Sequence, residues 1–292
     1  MSGALKEVRN RIKSVQSTQQ ITKAMKMVAA AKLRKSQERI LQMRPFAQKM
    51  TLLLQDLSVS DVSDDNWYTK VRPEEKVCVI AITSDRGLCG SFNSSVIKSV
   101  VALVQQKYAD QYARKNVTIL CIGRRGLDFF TKRNYKVNGD FVNLFHSMTF
   151  ENVSGAGQYL MDAFKNGTYD KIEIVYNQFK NVATQVLITE QFLPVVPPST
   201  RKRNEVDYIF QPSQHEIMSG LIPKSLKTQL FKAVLDSNAS ENGARMTAMD
   251  KASENAGEIL KELRLMYNRT RQAAITKEIL EIVAGAEALK GQ

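Results

Sequence analysis

Residues 4–44 read ALKEVRNRIKSVQSTQQITKAMKMVAAAKLRKSQERILQMR, and residues 258–284 read EILKELRLMYNRTRQAAITKEILEIVA. Neither stretch contains Gly or Pro, the two residues that most readily interrupt a helix. In the first, Leu5, Val8, Ile12 and Val15 recur at steps of three and four, the spacing of one apolar helix face. The stripe then changes to Gln16, Gln19, Gln20 and Thr22, followed by Met25, Met27, Val28 and Ala29–Ala31, small residues that let a facing helix approach closely. A helix over residues 5–57 would be roughly 80 Å long, and one over 213–286 about 110 Å. Pro45 and Pro223 are expected kink points, and Gly243 and Gly257 weaken the second helix locally. Two helices of that length cannot be covered by one small domain. Their expected partner is each other, as an antiparallel coiled coil.

The middle of the chain has a different grammar. Residues 58–75 (SVSDVSDDNWYTKVRPEE) are polar and read as a linker. KVCVIAITS predicts a buried strand over 77–83, the Gly-containing turn DRGLCGSFN follows, and a helix is expected over 94–114. VTILCIG predicts a strand over 117–122, with residues 123–126 turning into a helix that holds Leu127, Phe129 and Phe130. A weak strand over 134–141 and a helix over 153–165 come next. KIEIVYNQF and TQVLITEQFLP then form a hairpin, and DYIFQPS (207–213) a last short strand. Strands alternating with helices give a Rossmann-like α/β layer with an antiparallel edge. The expected organisation is a coiled-coil helix over 1–57, the linker, an α/β domain over 76–212 and a second coiled-coil helix over 213–292.

Composition narrows the function. No run of 18 apolar residues occurs and the N-terminus lacks an apolar signal core, so neither a membrane span nor secretion is expected. Three separated cysteines and two histidines do not make a zinc site, and they suit a reducing compartment. The net charge is +13, and residues 1–50 hold seven Lys and five Arg against two Glu, a net of +10. A helix so charged could meet nucleic acid, an anionic membrane surface or an acidic protein ring. No aromatic residue precedes Phe46, so no base-stacking platform accompanies the charge, and a solvated or partner-facing helix is the favoured reading.

Site chemistry is thin. SDRGLCGSFN follows a strand and opens a helix, the place of a phosphate-binding loop, yet neither the Walker nor the G-x-G-x-x-G pattern is present. Gly87 and Gly90 are read as turn formers, and IGRRG after the second strand is equally unspecific. No nucleophile-elbow, zincin or paired-cysteine signature occurs. Arg271 and Gln272 precede Ile275, Ile279, Ile282 and Val283, and on spacing alone they are an exposed polar patch.

Four segments together change the weighting. ITKAMKMVAAAKLRKSQ from Ile21, TSDRGLCGSFN from Thr83, ENGARMTAMDKASENA from Glu241 and YNRTRQAAITKEILEIVAGAEAL from Tyr267 resemble the gamma subunit of rotary ATP synthases. I-T-x-E-x-x-E-x-x-x-G-A, from Ile275 to Ala286, matches that family's C-terminal signature without departure. The resemblance implies a non-catalytic central shaft whose paired helices stand inside a ring of alpha and beta subunits. Its α/β domain would lie against the epsilon subunit and the membrane c ring, with no cofactor, no metal, no nucleic acid and no direct membrane insertion. The implied location is peripheral, on the cytoplasmic face of a bacterial plasma membrane or the inner face of an organelle membrane.

The resemblance also implies roles for single residues. Arg271 and Gln272 would form a catch against a beta-subunit loop, and Thr276 and Glu278 would serve coupling. Met25 and Lys26 would lie near an acidic beta-subunit lever, with Arg86 and Cys89 beside the same lever. The plastid form of the family carries a cysteine-bearing redox insert. Residues 194–215 here contain no Cys, so thiol regulation is not expected. The rival readings are a nucleic-acid-binding coiled coil and a dinucleotide-dependent enzyme.

Overall fold

The computed structural model describes residues 2–58, 67–182, 184–195 and 214–290. The expected strand over 207–213, the loop before it and the first part of the expected linker lie outside these residues. Six helices and five strands are described: α1 (Ser2–Ser58), β1 (Val77–Ile82), α2 (Phe92–Gln106), α3 (Ala109–Ala113), β2 (Val117–Ile122), α4 (Arg124–Lys132), β3 (Val137–Asn138), α5 (Phe150–Lys165), β4 (Lys171–Phe179), β5 (Gln185–Leu193) and α6 (Gln214–Lys290). Pro45 and Pro223 both lie inside continuous helix. Contacts divide the chain into two compact units, one of Met1–Ala29 with Met246–Gln292 and one of Ala30–Arg245.

The first unit is an antiparallel helix pair. On α1, Leu5, Val8, Ile12, Val15, Gln19, Thr22, Lys26 and Ala29 are wholly or partly buried, at alternating steps of three and four. On α6 the matching set is Met249, Ser253, Ala256, Leu260, Leu263, Tyr267, Thr270 and Ala274. Both sets keep the 3.5-residue period of a left-handed coiled coil. Contacts run in opposite directions along the two helices: Lys26 meets Asp250, Thr22 meets Ser253, and Arg11 and Val15 share a cleft with Leu263 and Met266. Gly257 admits the partner closely, since a Cβ there would lie 3.1 Å from Gln19 Nε2.

The second unit is built on a five-stranded sheet ordered β3-β2-β1-β4-β5. β1 pairs in parallel with β2 (Val77 beside Val117) and with β4 (Val77 beside Lys171), while β5 is antiparallel to β4. Every residue of β1 and β2 is buried, as an apolar run covered on both faces requires. Alternation sends Cys78, Ile80, Ile82, Ile174 and Tyr176 to one face, where α5 and α6 cover them through Leu160, Phe164, Leu226 and Leu230. Val77, Val79, Ala81 and Ile119 go to the other face, against Val96, Val100 and Val104 of α2 and Phe130 of α4. Thr149 caps α5 by accepting the Asn152 amide, with Glu151 in the first turn and Lys165 in the last, the order the helix dipole favours.

Four local expectations need correction. The helix expected over 94–114 is two helices, because Lys107 closes α2 and Tyr108 leaves the helical region at φ −119°, ψ 31°. Tyr108 is fully buried, so its packing against the sheet overrides a pattern that reads as continuous helix. The strand expected over 134–141 shrinks to Val137–Asn138. Only Gly123 serves as the turn after β2, and Gly126 lies inside α4. Trp67 and Tyr68, read as linker, stack at 3.6 Å, and Arg72 lies over the Phe164 ring, so this stretch packs on α5.

Candidate functional site

The sequence-derived positions fall on three stretches of chain, one in the α/β unit and two in the helix-pair unit. In an open α/β sheet a ligand binds outside the carboxyl ends of the strands where the order reverses, here between β1 and β4. The turn after β1 occupies that place. It opens on Thr83, whose hydroxyl accepts the Gly126 amide at 2.9 Å. The Ser84 amide donates to Asn93 Oδ1 at 2.9 Å, and the Ser84 hydroxyl donates to the Arg86 carbonyl at 2.6 Å. Gly123, at φ +95°, closes over this turn so tightly that a Cβ would stand 2.1 Å from the Thr83 carbonyl oxygen.

What faces the turn decides its chemistry. Arg245 of α6 donates to the Gly87 carbonyl at 2.5 Å and to the Arg86 carbonyl at 3.3 Å, and pairs with Glu241 one helical turn earlier. Beside it the Ser240 hydroxyl donates to the Asn177 carbonyl of β4, and Asn177 Nδ2 donates to the Phe92 carbonyl. The turn therefore presents acceptor oxygens to a guanidinium. A phosphate cradle presents amide donors to an anion. At this turn the protein's own α6 supplies the partner, through Arg245.

Arg86 and Cys89 share this turn but play different parts. Arg86 is exposed, as is Leu88, held at φ +65°. Cys89 is buried and accepts from Asn93 Nδ2 at 3.2 Å, and burial pushes its thiol pKa up. The turn thus offers Arg86 and Leu88 outward, with Cys89 holding the turn from inside.

Met25 and Lys26 share α1 in the helix-pair unit. Met25 is half-buried, and Lys26 donates to Asp250 Oδ1 at 2.5 Å. Ile21, Met27 and Val28 are exposed beside them. The third stretch is the far part of α6. Arg271, Gln272 and Glu278 are exposed, and among the described residues the Arg271 and Gln272 side chains make no hydrogen bond or ion pair. The Thr276 hydroxyl donates to the Gln272 carbonyl at 2.9 Å. Ile275, Ile279, Leu280, Ile282 and Val283 are exposed too, so this segment carries apolar side chains on several sides. Beyond Ala274 no described seam residue is buried. Exposed apolar side chains gathered in this way are typical of surfaces that bind a partner.

Sequence reasoning missed Arg245, Glu241 and Asp250. The signal was present in ENGARMTAMD, where Glu241 and Arg245 stand at i and i+4, the spacing of a helical ion pair. Nothing local said that the Arg would reach a turn 158 residues earlier.

Comparison with known proteins follows the same lines. The sequence model of a family described as ATP synthase matches residues 4–289. The ATP synthase gamma chain of Flavobacterium psychrophilum is 56% identical over 289 residues, covering 98% of this chain and 99% of its own length. That of Cytophaga hutchinsonii is 53% identical over 291 residues, with 98% and 99% covered. Among solved structures, a chain of the Euglena gracilis mitochondrial ATP synthase (OSCP/F1/c-ring, rotational state 3) aligns at a TM-score of 0.67. It is 20% identical and covers 99% of this chain and 95% of its own, a likeness of fold. With a family match across nearly its whole length and relatives more than half identical, the chain belongs to the gamma chain family of ATP synthases.

Proposed function

We infer that this chain is the central rotor shaft of a proton-driven ATP synthase, coupling rotation of the membrane c ring to conformational change at the catalytic sites of an alpha/beta ring. It is a non-catalytic subunit: it supplies contacts that differ between states of its partners and so biases their equilibrium, regulating ATPase activity and proton flow. The observation that carries this is the full-length match to gamma chains, on a chain whose far α6 segment ends in exposed Ile275–Val283 with Arg271 and Gln272 unpaired.

Several features support the finer assignment. The alpha and beta subunits would surround the helix pair. The basic face of α1, through Lys23 and its neighbours, would meet acidic levers of beta by a salt-screened attraction that guides contact without locking rotation. Arg271 and Gln272 would form the catch, Thr276 and Glu278 the coupling positions behind it, and Met25, Lys26 and Arg86 the lever-side contacts. Cys89 would act by shaping its turn. The epsilon subunit and the c ring would take the α/β unit. Among the described residues no helix is long and apolar enough to cross a membrane, so attachment would be peripheral through the c ring. Nucleic acid has no place in this reading.

The test is ATP hydrolysis by the matching alpha and beta subunits, reconstituted with and without this chain. One copy per ring with stimulated, sustained turnover is the expected result. Absence of both assembly and stimulation overturns the reading, and steep salt-dependent DNA binding then becomes the competing test.

A further inference from the structure

The seam between α1 and α6 is apolar or small at most positions, with a polar rung in each unit. In the helix-pair unit the Thr22 and Ser253 hydroxyls, both buried, meet at 2.7 Å. Each also reaches a carbonyl of its own helix, Gln19 at 3.0 Å and Met249 at 2.8 Å. Gln19 Nε2 donates across to the Ser253 carbonyl at 3.2 Å, and Lys26 pairs with Asp250 alongside. In the α/β unit the buried Ser36 hydroxyl donates to Asn238 Oδ1 at 2.7 Å, and Asn242 Nδ2 donates to the Asn238 carbonyl at 2.8 Å.

We propose that these rungs are a register lock, fixing α1 and α6 against sliding along one another by a heptad. A heptad repeat is by itself permissive: displaced by seven residues, apolar positions again meet apolar positions. The polar rungs are not permissive. One displacement sets Thr22 against Leu260 and Ser253 against Ala29, and the reverse sets them against Met246 and Val15. Displacement likewise sets Ser36 against Phe231 or Asn238 against Met43. The Thr22 and Ser253 hydroxyls keep the carbonyls of their own helices but lose each other, while Gln19 Nε2, the Ser36 hydroxyl and Lys26 lose the cross-helix partners they have here. A buried polar group left without its partner costs more than a satisfied one contributes. A lone polar seam position that selects register at some cost in stability is an attested device in coiled coils. The lock is a property of the chain's own seam and stands whether or not the shaft reading does.

Disulfide trapping on the full-length chain tests it, with the three buried native cysteines left in place. With Thr22 opposite Ser253, Ile12 stands opposite Leu263, so Ile12→Cys with Leu263→Cys reports the observed register. Ile12→Cys with Thr270→Cys or with Ala256→Cys reports displacement by seven residues, about 10 Å along the axis. In the parent chain only the first pair forms. In a chain also carrying Thr22→Val, Ser253→Ala, Ser36→Ala and Asn238→Leu, the displaced pairs are expected to rise at least about tenfold with helix content unchanged by circular dichroism. Displaced pairs that stay at background overturn the proposal. So does loss of helix content, since the rungs would then be stabilisers rather than register selectors. Thr22→Ser keeps the hydroxyl and is expected to trap only the observed pair, and displaced pairs in that variant overturn the proposal as well.

Discussion

The two parts of α6 obey different rules. From Ala233 to Ser240, within the α/β unit, seven of the eight residues are buried, covered by the sheet on one side and by α1 on another. From Met249 to Ala274, in the helix-pair unit, burial is confined to one stripe at steps of three and four. A helix buried nearly all round is core, and a helix buried on a stripe is half of a pair. One continuous helix therefore serves two architectures. Its residue types change accordingly, from Val234, Leu235 and Ala239 in the first part to Ser253, Ala256 and exposed Leu265 in the second.

This contrast predicts a gradient of mutational cost. Gly123→Ala, at the tightest point of the α/β unit, forces a Cβ into the Thr83 carbonyl at a positive φ. It is expected to cost at least about 3 kcal/mol in urea unfolding, and a loss below about 1 kcal/mol would mean the turn relaxes.

Asp236 comes next. It is buried, one carboxylate oxygen lacks a partner, and burial pushes its pKa up to about 6 from the ordinary 3.8, with Glu190 adding to the rise and Lys232 and Arg44 opposing it. The folded chain thus holds a proton that the unfolded chain has released. This group's contribution is full below about pH 4 and is lost as pH rises through about 6, by roughly 2–3 kcal/mol. Asp236→Asn is expected to flatten that slope in unfolding measured at pH 5 and pH 7.5, and an unchanged slope would place the titration elsewhere.

The helix-pair unit is expected to answer more weakly. Lys26→Met removes a half-exposed ion pair with Asp250, for a cost under about 1 kcal/mol that shrinks in high salt. A loss above that range would show the pair to be part of the seam's core.

The smallest stability effect belongs to Arg271→Leu with Gln272→Leu, both exposed and unpaired, with a change within about 0.5 kcal/mol. On the proposed shaft reading the same double variant lowers ATPase turnover and assembly of the reconstituted complex several-fold. Unchanged turnover would remove the catch role. Met25→Lys separates the two readouts in the same way, with coupled proton pumping expected to fall more than stability.

Legibility in the sequence followed the same divide. β1 and β2 were readable almost to the residue because a buried parallel strand is simply an apolar run, and the β4–β5 hairpin was readable from its short turn. The helix pair was readable from missing Gly and Pro and from the Leu5–Val15 stripe. Its continuation was obscured, because Gln19 and Thr22 look like a break in the stripe and are in fact its polar rung. The break at Tyr108 and the reach of Arg245 were hidden, since both depend on partners distant in sequence. The turn after β1 resembled an anion site by position, and only the donor facing it reversed that sign.

The 3.5-residue seam carries a handedness as well as a contact pattern. Two right-handed helices that keep such a seam wind around each other in the left-handed sense. The close approach of Gln19 to Gly257 lies on that winding seam. The pair is thus laid like a two-strand rope, and the hand of the lay is written in the alternation of threes and fours.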